Sequence, residues 1–338
     1  MSQKVEEKGF HLLTESTELL QQALDTSFFD AYLENMENFL DSQTVRVIEG
    51  TPDPETAAKL QRIYQDIKAL ELTAESKRKI SQLTLLKGML SDTLQPNHQL
   101  TPDGIGFLVT YIVEELLADR LQLRVADLAV GTGNLLYTLM TNLALSGKQV
   151  SGVGVDADEL LLNIAAVDKE WLGLDVTLFY QDSIQPLLLD PVDVAIADLP
   201  IGYYPDDARA SSFTVAAETG HTYAHHLLME QAMNYVTQDG FGVFLLPSQF
   251  LESEQAGQLK KWLTEKVYLQ AILQLPENLF KNRASRKSII VVQNRGEGAS
   301  QATEVLLAEL PSLKETQAVY QFIEEFNQWQ HLNLKKKV

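Results

Sequence analysis

The sequence predicts an α/β protein in which a doubly wound, mostly parallel seven-stranded sheet follows an all-helical N-terminal domain. Three observations carry that expectation. Residues 10–89 place their apolar side chains at helical spacing and hold no chemical constellation. From residue 124 the pattern changes to short apolar, β-branched runs alternating with helical stretches. At the start of that region, residues 125–158 read as a buried strand, a glycine turn, a helix and a second strand ending in acid.

The helical region contains Leu12, Leu20, Phe28, Tyr32, Met36 and Phe39 on one periodic face, and then a break at Gly50-Thr51-Pro52-Asp53-Pro54. Pro54 suits the first turn of a helix, where its missing N–H costs nothing. Leu60, Ile63, Ile67, Leu70, Ile80, Leu83, Leu86 and Met89 continue the pattern. Packing or contact with a partner is the expected role of this region, and it is a candidate surface for homodimerisation. Residues 1–95 are therefore read as the helical domain, 96–310 as the α/β domain and 311–338 as a C-terminal helix with a basic tail. At the junction Thr101 is placed to cap a helix whose first residue is Pro102, with Asp103 in the first turn.

The seven expected strands span residues 125–130, 150–155, 176–180, 192–197, 242–246, 269–275 and 288–292. Helices are expected over 135–145, 159–172, 224–236 and 254–266. Trp171, Trp262 and Trp329 fall in apolar helical patterns and are expected in the core. Sheets of this kind bind ligands beyond the carboxyl ends of their strands, where the strand order reverses.

Composition narrows the function. With 45% hydrophobic residues and 338 residues in all, the chain can bury a sizeable core. It has no apolar run long enough to span a bilayer and no apolar leader at its N-terminus, so a cytoplasmic protein is expected. The absence of cysteine excludes disulfides, thiol nucleophiles and zinc–thiolate sites. The 27 Lys and Arg against 46 Asp and Glu give a net charge of −19, which argues against tight, autonomous binding to nucleic acid.

The strand-turn unit is a nucleoside site. Gly131 and Gly133 let the backbone turn sharply and let a ligand approach closely. Asp156, ending the second strand, can accept hydrogen bonds from the vicinal hydroxyls of a ribose. A dinucleotide site wants a third glycine where Leu136 stands, so an NAD-dependent oxidoreductase is disfavoured. The run Asp127-Leu128-Ala129-Val130-Gly131-Thr132-Gly133-Asn134 resembles the first motif of class I S-adenosylmethionine-dependent methyltransferases, which have a Rossmann-like fold. Asp156-Ala157 matches the acidic end of their second strand, and Tyr180-Gln181-Asp182-Ser183 looks like their third motif. The resemblance implies S-adenosyl-L-methionine as cofactor. It places the 131–133 turn against the cofactor, Asp156 on its ribose and Asp182 on its adenine amino group.

Two flanking features resemble adenine-specific DNA methyltransferase subunits of type I restriction-modification systems. Gln99-Leu100-Thr101-Pro102 is similar to their Thr-Pro element, which touches the methionine part of the cofactor. Asp198-Leu199-Pro200-Ile201-Gly202-Tyr203-Tyr204-Pro205 stands where that family has Asn/Asp-Pro-Pro-Tyr/Phe. The helical N-terminal domain together with this run looks like a small group of bacterial adenine-methyltransferase-like proteins. An exocyclic amine on a purine is a poor nucleophile; a carboxylate and a backbone carbonyl held by proline accept its hydrogens and steer its lone pair. By resemblance Asp198 is the amine acceptor and Pro200 the second proline, while Leu199 and Ile201 depart from the pattern. Tyr203 or Tyr204 is expected to stack on the flipped base.

Lys281, Arg283, Arg286 and Lys287 cluster between the last two expected strands, as a solvated loop or as nucleic-acid contacts. His221, His225 and His226 lack a convincing third ligand, so no metal is assigned. The expected activity is methyl transfer to the adenine amino group of DNA, with a partner subunit in reserve for substrate contact. The alternatives are a methyltransferase for RNA, protein or a small molecule, and a non-catalytic S-adenosylmethionine-binding regulatory or assembly protein.

Overall fold

The computed structural model describes residues 2–91, 99–280, 282 and 285–334. Four helices come first: α1 (Ser2–Leu24), α2 (Phe28–Leu40), α3 (Pro54–Lys68) and α4 (Ala74–Ser91). Local chemistry starts two of them. Ser27 accepts the Asp30 N–H ahead of α2, and Asp53 accepts from Glu55 and Thr56 ahead of α3, with Pro54 in its first turn.

The alternating region follows as α5 (Asp103–Leu116), β1 (Gln122–Asp127), α6 (Asn134–Leu145), β2 (Gln149–Asp156), α7 (Glu159–Leu172), β3 (Val176–Tyr180), β4 (Val192–Asp198) and a single helical turn α8 (Asp207–Ala210). Then come α9 (Ala224–Tyr235), β5 (Val236–Pro247), α10 (Ala256–Glu265), β6 (Val267–Gln274), β7 (Lys287–Asn294), β8 (Leu306–Glu309) and α11 (Thr316–Asn333). The strands form one sheet in the order β3-β2-β1-β4-β5-β7-β6-β8, parallel throughout except that β7 runs against both its neighbours.

The sheet thus has eight described strands rather than the expected seven. The extra one, β8, pairs with β6 at the edge, and its burial only alternates between half-buried and exposed. Four residues are too short a stretch for periodicity to separate a strand from a loop.

The sheet has a core on each face. On one side α9 and α10 pack against it with Trp262 fully buried. On the other, α5, α6, α7 and α11 share one continuous core with the N-terminal helices, and Trp171 and Trp329 are both buried there. Phe39 of α2 meets Trp171 of α7 edge-to-face at 6.2 Å between ring centroids. Truncating such a buried aromatic costs about 3–5 kcal/mol. Polar groups fix the docking. Arg78 of α4, 3% exposed, pairs with Glu75 and with Asp103 of α5, and donates to the Thr138 hydroxyl on α6.

Connections reverse direction between β1 and β4, which puts a crevice beyond the carboxyl ends of β1, β2 and β4.

Candidate active site

The crevice is built from loops that leave those three strands. After β1 the chain turns through Gly131 (φ +52°) and Gly133 (φ +81°), a left-handed conformation that suits glycine. A Cβ at Gly133 would lie 2.3 Å from the Tyr137 ring, whereas at Gly131 it would meet nothing within 4 Å. The turn is therefore closed on the protein side at 133 and open on the crevice side at 131.

Three carboxylates converge around it. Asp127, 2% exposed, accepts from the Ala129 N–H at 3.0 Å. Burial pushes its carboxyl up to about 8, and the nearby Asp156 and Asp198 charges push the same way. Asp156 accepts the Gly131 N–H at 2.7 Å and the Asp158 N–H at 2.9 Å, and burial raises it despite those bonds. Ala157 follows it on the exposed rim. Asp198 ends β4 and accepts the Thr101 hydroxyl at 2.9 Å. Asn134, opening α6, donates to the Thr101 carbonyl at 2.7 Å, so the Thr101 segment straps across the crevice. Thr101, Asp127, Ala129, Gly131, Thr132, Asn134 and Asp198 line one cavity of about 60 Å³. Larger clefts, about 610 Å³ beside Glu218 and Gln258 and about 750 Å³ at the amino edge of β1 and β2, are lined by none of the glycine-turn residues and by none of Asp127, Asp156 and Asp198.

These residues fit S-adenosylmethionine. Asp127 is a buried acid suited to an ammonium group, the Thr132 hydroxyl is buried without a partner among the described residues, and the Gly131 face is open. Asp182 lies beyond β3 and accepts from Ile184 N–H at 2.9 Å.

Several expected roles are revised. Thr101 does not cap α5: its hydroxyl goes to Asp198, a charged and stronger acceptor, and Pro102 takes the cap position with no side-chain bond. Ser183 is buried, and its hydroxyl is taken by the Leu128 carbonyl at 2.6 Å. The Tyr204 ring does not offer a free stacking face at its hydroxyl end, since the hydroxyl donates to Asp182 at 2.6 Å. Tyr203 instead stacks on Tyr223, with centroids 4.8 Å apart and planes 14° apart, and remains 53% exposed. Tyr223 stacks in turn on His225, which is buried with His226 behind it. Pro200 is half-buried between the buried Leu199 and the exposed Ile201.

The basic cluster disperses. Arg286 is buried, donating to the Leu275 carbonyl and pairing with Glu277 and Glu309, so it does not face a phosphate backbone. Lys287 pairs with Asp198 inside the site. Lys281 and Arg283 lie outside the described residues. The Lys287–Asp198 pair escapes sequence reasoning because the two residues are far apart in sequence; Lys287 stood out only as a member of the basic cluster that precedes the expected 288–292 strand.

A doubly wound sheet with an antiparallel strand β7, a glycine turn after β1 and acids ending β2 and β4 defines a class I S-adenosylmethionine-dependent methyltransferase. Residues 100–328 match the family described as N-6 DNA Methylase, and residues 7–89 match the YtxK N-terminal helical domain. The chain belongs to the N-6 DNA methylase family. It is 38% identical over 320 residues to a Bacillus subtilis (strain 168) protein described as uncharacterized protein YtxK, covering 95% of this chain and 96% of that one. A Listeria monocytogenes structure, described as a proposed class I S-adenosylmethionine-dependent methyltransferase, superposes with a TM-score of 0.88 at 37% identity, covering 96% of this chain and 99% of that one. The methyltransferase subunit of a type I restriction-modification system from Streptococcus thermophilus shares the fold, with a TM-score of 0.61 at 13% identity over 95% of this chain and 80% of its own.

Proposed function

We propose that the protein transfers a methyl group from S-adenosylmethionine to the exocyclic amino group of adenine in DNA. The observation that carries this reading is that Asp198, which ends β4, lines the same cavity as Asp127 and the glycine turn. Donor and acceptor would then meet in one crevice.

Asp127 holds the cofactor's ammonium, Gly131 and Thr132 border its backbone, and Asp156 accepts from its ribose hydroxyls. Asp182, oriented by the Tyr204 hydroxyl, accepts from its adenine amino group. Bound, S-adenosylmethionine supplies a methyl group activated on a sulfonium that departs as a neutral thioether. Asp198 accepts a hydrogen of the target amine, turns its lone pair toward the crevice and receives the proton that the methylated nitrogen gives up. Pro200 fixes the chain after Asp198. The exposed outer face of Tyr203, backed by Tyr223 and His225, is the surface on which a flipped base stacks. The contribution of these residues is mainly positioning, which holds reacting atoms in line. With a net charge of −19, phosphate contacts are expected from a partner subunit.

The burial of Arg286 and the use of Lys287 inside the site favour a second reading, an amine acceptor on RNA, protein or a small molecule. Incubation of the protein with radiolabelled S-adenosylmethionine and unmethylated DNA, RNA and protein pools separates the two. N6-methyladenine in DNA that disappears with Asp198→Ala is the expected result. Label in another pool, with none in DNA, overturns the DNA assignment.

A further inference from the structure

The acceptor carboxylate is not alone. Lys287 is the first residue of β7 and lies opposite Pro247 of β5, while Asp198 ends β4 and lies opposite Leu245 of the same strand. Strand register therefore places the two side chains together at the carboxyl edge of the sheet. The Lys287 ammonium pairs with Asp198 Oδ1, Thr101 donates to Oδ2, and both members of the ion pair are only about a fifth exposed. Among the described residues, Lys287 is the one cation paired with any of the three acids that converge on the crevice.

We propose that Lys287 sets the charge balance at the acceptor end of the crevice and so decides how strongly the site distinguishes the cationic methyl donor from its neutral thioether product. The inference rests on the reading above, in which the target amine is held at Asp198. The reacting methyl must be brought to that amine, so the donor's positive sulfur comes to the end of the crevice where Lys287 and Asp198 sit. Asp198 attracts that charge and Lys287 repels it. With both present the pair is neutral, and it tells donor and product apart by little more than the methyl group. With either one removed, a unit charge is left in a partly desolvated site, where Coulomb interactions over several ångströms reach about tenfold in binding.

Lys287 is thus a positioning and specificity residue. It fixes the Asp198 carboxylate on one oxygen, leaving lone pairs for the amine, and it keeps the site from binding the donor so tightly through charge alone that the reactant state is favoured over the transition state.

The test is calorimetric titration of the full chain with S-adenosylmethionine and, separately, with S-adenosylhomocysteine. The readout is the ratio of the two affinities, which a purely structural role for Lys287 would not move. Lys287→Met is expected to shift the ratio about tenfold toward the cationic donor, and Asp198→Asn about as far toward the neutral product. The double variant returns near the wild-type ratio, and Lys287→Arg keeps it. Lys287→Gln serves if the methionine variant does not fold, and the affinity for S-adenosylhomocysteine reports the integrity of each protein. Ratios within twofold of wild type in both single variants, or shifts in the same direction, overturn the proposal. Failure of the wild-type protein to bind either molecule instead overturns the cofactor reading on which it rests.

Discussion

At the scale of single residues, burial sets the chemistry. Asp127 has a carboxyl raised to about 8, against about 4 for a solvated aspartate, so the free protein holds a proton there at neutral pH. A raised acid favours the folded state below its unfolded value and loses that advantage as pH climbs through the folded value. A cationic ammonium placed against Asp127 reverses the preference and expels the proton. Cofactor affinity is therefore expected to rise as pH goes from 6 to 7, by up to about tenfold, with about one proton released. Calorimetry in buffers of different ionisation enthalpy measures both, and a flat affinity with no proton release contradicts the role given to Asp127. The convergence of Asp127, Gly131, Gly133 and Asp156 was legible because they sit at fixed spacing on one strand-turn-helix-strand unit. Tyr204 and Arg286 were not. Tyr204 was one of two candidates for stacking on a base and Arg286 was read as part of a solvated loop or a nucleic-acid contact, but each found its partner on an element distant in the chain, Asp182 for Tyr204 and Glu309 for Arg286. A pattern along the chain cannot show which long-range partner outcompetes solvent.

At the scale of elements, the Thr101 strap is expected to govern access. It is tied to Asn134 at the start of α6 and to Asp198 at the end of β4, and it roofs a cavity of about 60 Å³. Sites that enclose an organic ligand run to about 300–1,000 Å³, so the strap is expected to move as the cofactor enters. Thr101→Val removes the bond to Asp198 while keeping the shape of the side chain. It is expected to speed cofactor association several-fold and to reduce methyl transfer, because Asp198 loses a group that orients it. Stopped-flow association rates check this, and an unchanged rate contradicts the strap. The strap's helix boundary shows how far sequence reaches: Thr-Pro correctly marked the start of α5, but the cap it implied gave way to a charged acceptor across the crevice. The short edge strand β8 went unread for a different reason, since it has only four residues and they alternate between half-buried and exposed.

At the scale of the whole molecule, the helical layer and the sheet form one body through a buried polar ring. The Tyr32 hydroxyl lies 2.7 Å from Asp168 Oδ1, the Ser81 hydroxyl 2.5 Å from Asp168 Oδ2, and the two hydroxyls 2.5 Å from each other. Three such contacts need three protons, and two hydroxyls supply two. The third belongs to Asp168, whose carboxyl burial pushes up to about 7. Because this value is raised, the contribution of the ring is present at low pH and is lost as pH rises through about 7. Thermal unfolding of the wild type is expected to lose stability between pH 5 and 8 more steeply than that of Asp168→Asn, which carries no proton to lose; equal slopes contradict the proton count. The sequence showed that the first helices bury one face but not against what, because Tyr32, Ser81 and Asp168 sit on three helices brought together only by the fold. In the proposed function the crevice divides into a donor half at Asp156 and an acceptor half at Asp198. Titration of S-adenosylmethionine into the wild-type, Asp156→Ala and Asp198→Ala proteins tests that division most directly. The expected result is a loss of about a hundredfold or more in affinity for Asp156→Ala and of no more than about tenfold for Asp198→Ala. An Asp156→Ala protein that binds as tightly as the wild type would contradict it.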